Sequence, residues 1–214
     1  MKHYDNESIA LAVGLSALAG FVDAQGYLHL NGVFVSFMSG NSTRLAVAIS
    51  QGEWGFARIA AVIVALFVAG VVVGAVVGDL AHGARRRAVL GLESLLLAAA
   101  ALLQGAGHSP LAMAAVTLAM GAENAVFERD GDISIGLTYM TGTLAKAGQR
   151  MANALMGGKP LAWVPYILLW TGLAVGALAG AAVFGWIGLN GLWIAAGVAA
   201  AFTVLVTVSP KLRE

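Results

Sequence analysis

Two polar hexads interrupt apolar stretches of this chain. The first is Ser39-Gly40-Asn41-Ser42-Thr43-Arg44, preceded by Val35-Ser36-Phe37-Met38; the second is Thr141-Gly142-Thr143-Leu144-Ala145-Lys146, preceded by Leu137-Thr138-Tyr139-Met140. Each runs methionine, small hydroxyl, glycine, polar residue and then a base three positions on, and the copies stand about 102 residues apart. The chemistry on offer is hydrogen bonding, from hydroxyls, an amide and glycine-freed backbone. Non-helical polar backbone at membrane depth persists only where protein or a water-filled cavity satisfies it. A doubled break in corresponding positions is the sequence pointer to a transport site.

The segments before the hexads, 33–37 and 133–139, are β-branched and aromatic with partial alternation, which predicts extended arms rather than helix. Ser39 or Asn41, and Thr141 or Thr143, are suitable N-caps for helices over 43–50 and 144–155. Each segment then reads as an arm, a glycine turn and a half-helix whose N-terminus offers unpaired N–H groups and partial positive charge. Two such ends meeting at mid-depth would bind a small polar or anionic solute through Ser39, Gly40, Asn41, Thr141, Gly142 and Thr143. Arg44 and Lys146 either add positive potential to that site or extend to the headgroups.

Three carboxylates sit inside apolar runs: Asp23, Glu93 and Glu123. An acid at depth faces the protein interior and needs a partner. Asp23 and Glu123 occupy nearly equivalent places in the two halves and are the proton-coupling candidates; the alternative is structural pairing with Arg44 and Lys146. Glu93 stands two turns from Arg87 and reads as a charge-paired helix end. Gln149, Arg150 and Asn153 share one side of the second half-helix, as a hydrophilic path or as its cytoplasmic face.

Composition places these residues in a membrane. The chain of 214 residues is 59% hydrophobic and only 11% charged, with a mean hydropathy of +0.84; soluble domains carry roughly 25% charged residues. The net charge of +1 gives no reason to expect nucleic acid, and there are no cysteines for disulfides or thiolate chemistry. The histidines His3, His29, His82 and His108 are never at ligand spacing, so neither metal nor cofactor is expected. No nucleophile–base arrangement, Walker loop or dinucleotide fingerprint appears, so no catalytic residues and no enzyme activity are expected. The first apolar run resembles a signal peptide in length, but Lys2 is outnumbered by Asp5 and Glu7 and the run has an internal counterpart, so it is expected to be retained.

Apolar stretches fall at about 8–30, 33–50, 56–80, 88–105, 110–128, 133–155, 161–185 and 190–208. The same offset that superposes the hexads superposes Gly70, Gly74 and Gly78 on Gly172, Gly176 and Gly180, and brings 20–24 over 121–125 with a one-residue slip. The expectation is an all-α polytopic protein of two repeats, 1–105 and 106–214, forming one integrated membrane domain. If 33–50 and 133–155 enter and leave on one side, six spans remain and the second repeat is inverted. The face holding both termini then carries ten of the twelve basic residues, leaving Arg44 and Arg58 opposite. Eight full crossings would give parallel repeats and a bias of eight against four. The positive-inside rule favours six spans with both termini cytoplasmic. The glycine ladders allow close helix approach, between the repeats or across a homodimer seam.

Gly20-Phe21-Val22-Asp23-Ala24 with Tyr27 and the 33–41 segment resembles the first signature of the YoaK-like bacterial membrane proteins. Gly121-Ala122-Glu123-Asn124-Ala125 with 138–143 resembles the second. Ser39 stands where that family often has Thr, and Glu123 where it often has an amide. The resemblance implies a multi-pass protein of the bacterial inner membrane and no assigned activity. Strand-then-half-helix pairs with facing N-termini are also similar to those of nucleobase and sulfate-type transporters, an analogy of architecture alone. The functional expectation is a small secondary transporter or channel whose partners are a small polar or anionic solute and membrane lipid. The alternative is a non-transporting membrane scaffold or stress-response protein.

Overall fold

The computed structural model describes residues 6–212 other than 130, 131 and 134. Lys2, His3 and Asp5, named above, and Ser134 of the second arm therefore lie outside it. Eight α-helices are described: α1 (Asn6–His29), α2 (Met38–Gln51), α3 (Trp54–Leu80), α4 (Arg85–Gly105), α5 (Ser109–Glu123), α6 (Met140–Leu155), α7 (Val164–Ile187) and α8 (Leu192–Val208). A short antiparallel pair, β1 (Glu128–Arg129) and β2 (Asp132–Ile133), precedes α6. The protein is an all-α polytopic membrane protein. Four stretches are long and apolar enough to cross a bilayer, the last running from α7 through a 3-10 turn into α8. Helix α5 has 15 residues and is lengthened by hydrogen-bonded turns reaching Val126. Val62, Val68, Val72 and Val76 of α3 and Val175 and Leu178 of α7 are exposed, as side chains facing lipid must be.

Glycine contacts fix the helix directions. A Cβ at Gly172, Gly176 or Gly180 of α7 would strike the backbone of Val13, Ala17 or Phe21 of α1, so both numbers rise together and the helices run parallel. Gly70 and Gly74 of α3 meet the backbone of Leu118 and Ala122 of α5 in the same sense, and Gly121 returns the contact onto Phe67 and Val71. Both ladders therefore pack a helix of one half against the opening helix of the other. Gly78 departs from the pattern and lies against the Arg85 side chain.

Polar contacts fix the ends. The Arg86 guanidinium at the start of α4 donates to Ser8 Oγ at the start of α1 (3.2 Å) and to the Leu212 carbonyl (3.4 Å). Lys211 donates to Glu7 at 2.8 Å. The starts of α1 and α4 thus share one end, which requires an even number of crossings between them. Helices α1 and α3 supply two, so α2 enters and leaves at the far end. Arg85 also pairs with Glu128 at 2.9 Å, so α5 finishes at the near end, where α7, parallel to α1, begins; α6 does not cross. The eight-span alternative is corrected on this ground. Six helices run between the two ends, α2 and α6 enter from opposite ends, and α1 and α5 run in opposite directions.

Two apolar clusters make the core. Leu11, Leu15, Leu90, Phe127 and Leu169 pack at the end holding the termini; Leu18, Val22, Leu97, Met113, Val116 and Met120 fill the middle.

Candidate functional site

The arms are non-helical, as their sequence predicts, and each is tied to the helix before it. Asp23 near the end of α1 accepts the N–H groups of Val35 and Ser36, both at 2.8 Å. Asn41 grips the same arm from α2: it accepts Phe34 N–H at 2.9 Å and donates to Phe34 O at 2.6 Å. In the second half Thr138 donates to Asn124 Oδ1 at 3.2 Å, while Asn124 donates to Met120 O at 2.9 Å. An arm of buried backbone needs such partners because lipid supplies none.

The half-helices begin earlier than the expected caps. Met38 and Met140 are the first helical residues, Phe37 and Tyr139 hold the N-cap positions, and no side chain caps either end. Ser39, Gly40, Thr141 and Gly142 therefore sit inside the first turn, and the glycines are not turn residues. The bonds from Asn41 N–H to Phe37 O and from Thr143 N–H to Tyr139 O are the first of the helical ladders. First-turn N–H groups are the ones an α-helix leaves unpaired. At its other end α2 closes on Gly52, whose φ of 74° places it in the left-handed region, with its N–H returned to Ala48 O and Ile49 O.

The two first turns share a cleft of about 200 Å³, lined by Ser36, Phe37, Met38 and Ser39 from one half and by Thr138, Tyr139, Met140, Thr141 and Gly142 from the other. Four residue pairs recur across it at the hexad offset. Phe67, midway along the 27-residue α3, completes the lining, which sets the cleft near mid-depth. Ser36 and Thr138 are buried, whereas Ser39, Thr141 and Gly142 are exposed on its open side. The room corresponds to about seven waters at about 30 Å³ each. Its walls are mainly aromatic and thioether, and the hydroxyls of Ser36, Ser39, Thr138, Tyr139 and Thr141 and two helix starts are set among them.

Of the residues predicted from sequence, Ser39, Thr141 and Gly142 line this cleft. Gly40 does not: Phe37 and Phe34 side chains cover the position where its Cβ would be, while the corresponding direction at Gly142 is empty to 4 Å. Asn41 and Thr143 are buried, and Asn41 is committed to the arm. Arg44 turns to Tyr27, donating to its hydroxyl at 3.4 Å and standing 5.4 Å from that ring and 5.5 Å from the Phe34 ring. Lys146 faces a separate pocket with Gln149, Arg150, Asn153 and Tyr166. Among the described residues Asp23 and Glu123 form no ion pair with either base. Glu93 is not a helix-end partner of Arg87: it is fully buried in α4, an electrostatic neighbour of Glu123 on α5. No oxygen of either carboxyl finds a hydrogen-bond partner among the described residues. Sequence reasoning missed Phe67, which has no signal in an apolar helix, and the buried Arg86.

The family described as "Protein of unknown function (DUF1275)" matches residues 11–205. The chain belongs to this DUF1275 family. It is similar to UPF0700 transmembrane protein RA0705 of Rhizobium meliloti (strain 1021), with 37% identity over 203 residues, covering 95% of this chain and 88% of that protein. No solved structure matches. The match spans all eight helices of this DUF1275 chain, cleft included, and nothing in it indicates enzymatic activity.

Proposed function

We propose that this protein is a small secondary transporter or channel for a small polar or anionic solute, bound at mid-depth between the starts of α2 and α6. The supporting observation is the shared cleft, in which Ser36, Phe37, Met38 and Ser39 face Thr138, Tyr139, Met140 and Thr141. Two first turns bring unpaired N–H groups and hydroxyls together where a bilayer offers no other polar partner. With no cation in its lining, the cleft holds a solute by hydrogen bonds and helix-end charge rather than by an ion pair. The volume sets a solute of a few heavy atoms.

The two repeats, 1–105 and 106–214, would rock against each other on the glycine ladders, exposing the cleft to each side in turn. Asp23 and Glu123 remain the proton-coupling candidates. A proton on Asp23 would weaken its hold on Val35 and Ser36 and so loosen one wall of the cleft. The basic excess at the end bearing Arg85, Arg86, Arg87, Lys159 and Lys211 supports a bacterial inner-membrane protein with both termini on the cytoplasmic side. The finer YoaK-like assignment rests on the signatures at 20–41 and 121–143.

Gly142→Leu tests the site, because Gly142 lines the cleft and an added side chain there meets nothing within 4 Å. Purified wild type and variant would be melted against formate, acetate, nitrate, chloride and sulfate, since a ligand of the native state raises its apparent stability. The expected result is a raised melting temperature with at least one anion in wild type, abolished in the variant, with equal unliganded melting. If every anion that protects wild type protects the variant equally, the site is wrong. If none protects either, the scaffold reading takes its place.

A further inference from the structure

A second polar pocket lies apart from the cleft and shares no lining residue with it. It occupies about 460 Å³ between α6 and the start of α7 and is lined by Lys146, Gln149, Arg150, Asn153 and Tyr166. The four α6 residues fall at i, i+3, i+4 and i+7, so they form one stripe. Like charges at i and i+4 destabilise a helix unless a counter-charge stands beside them. Among the described residues neither Lys146 nor Arg150 lies within ion-pair distance of a carboxylate. The sequence offers none nearby: from Ile133 to Arg213 the chain has no Asp or Glu, while Lys146, Arg150, Lys159, Lys211 and Arg213 fall in that stretch. With no carboxylate of the described residues beside them, the two cations are open to an anion from outside the chain.

The surroundings indicate which anion. Helix α6 starts at the mid-depth cleft; at 1.5 Å per residue Arg150 stands about 15 Å along it, level with the edge of a hydrocarbon core about 30 Å thick. Leu155, Met156 and Leu161, at the mouth of the α6–α7 connection, are 90%, 87% and 69% exposed. A basic, hydrogen-bonding cradle at headgroup level, beside apolar side chains that point outward, suits a phospholipid with its phosphate in the cradle and its chains along the helices. We propose that this pocket binds the anionic headgroup of a phospholipid, through Lys146 and Arg150 as cations and Gln149, Asn153 and Tyr166 as hydrogen-bond partners.

The test uses the full chain in nanodiscs of phosphatidylcholine alone or with phosphatidylglycerol, reading thermal stability and the lipid retained in native mass spectrometry. Wild type should melt higher, and retain phosphatidylglycerol, only in the mixed discs. The K146Q/R150Q variant should melt as wild type does in phosphatidylcholine and lose the increment, with apparent affinity for phosphatidylglycerol down roughly twenty-five-fold, about fivefold per cation. Asn153→Asp, which sets a carboxylate in the cradle, should lose it too, whereas Arg58→Gln at the opposite end should keep it. Equal increments in wild type and K146Q/R150Q, or none in wild type, would overturn the proposal. So would inorganic phosphate reproducing the increment in phosphatidylcholine discs, which would make the ligand a soluble anion.

Discussion

Asp23 and Asn41 direct their polar atoms at backbone, and that choice shapes the cleft more than any residue lining it. Between them they satisfy four groups of the first arm, Val35 N–H, Ser36 N–H and both polar groups of Phe34 being reached from two helices. Bonds to a charged acceptor contribute about 1.5–3 kcal/mol each, and orphaning a buried donor carries its own penalty. Asp23→Ala should therefore lower stability by about 3 kcal/mol in denaturant titration and weaken any anion protection, while Asp23→Asn, which keeps one acceptor oxygen, should lose about half as much. An alanine variant as stable as wild type would mean the arm is held by packing alone. The sequence exposed Asp23 as an acid out of place but not its partner, because backbone N–H groups carry no residue-type signal. The same blindness put Arg44 and Lys146 in the cleft. Their positions in the hexads match, yet one side chain turns to the Tyr27 and Phe34 rings and the other to the α6–α7 pocket.

At the scale of elements, spacing carried the reading further than residue type. The ladders at 70/74/78 and 172/176/180 are visible as strings because close helix approach in lipid depends on the absence of side chains. Their partners were not visible, since α1 and α5 present carbonyls of ordinary Ala, Val, Phe and Leu residues to them. The half-helices were legible as short pieces following each arm, but their first residues were not: the capping rule expects a hydroxyl or amide at the N-cap, and Phe37 and Tyr139 hold those positions in α2 and α6. A membrane half-helix that opens onto a polar cleft can leave its first N–H groups to water or solute. The ladder makes a paired prediction. Gly176→Val would press into the Ala17 backbone and should cost at least about 1–3 kcal/mol, read as an early thermal transition in detergent. Gly197→Ala in α8, with nothing within 4 Å of the new Cβ, should be neutral or stabilise by about 0.5–1 kcal/mol. Equal effects of the two changes would show that the α1–α7 contact is not a packing seam.

For the whole molecule the decisive quantity is the parity of crossings, and the charge pattern leans toward the six-span arrangement: ten basic residues share a face in that topology and eight in the other. What sequence could not supply was a contact between chain-distant ends, such as Arg86 with Ser8 and the Leu212 carbonyl. Because the chain has no cysteine, single cysteines report sidedness without background. Gln51 ends α2, Ala84 precedes α4, Ala106 follows α4 and Met156 follows α6. With six spans and inverted halves, a membrane-impermeant maleimide applied to intact cells should label Gln51→Cys and Ala106→Cys and spare Ala84→Cys and Met156→Cys until the cells are permeabilised. With eight spans and the same orientation of the N-terminus, only Ala84→Cys would label from outside. The two patterns differ at three of the four sites, so no single mislabelled position can turn one into the other. Only the six-span pattern brings the α2 and α6 N-termini to one cleft from opposite faces, and alternating access at that cleft requires this arrangement.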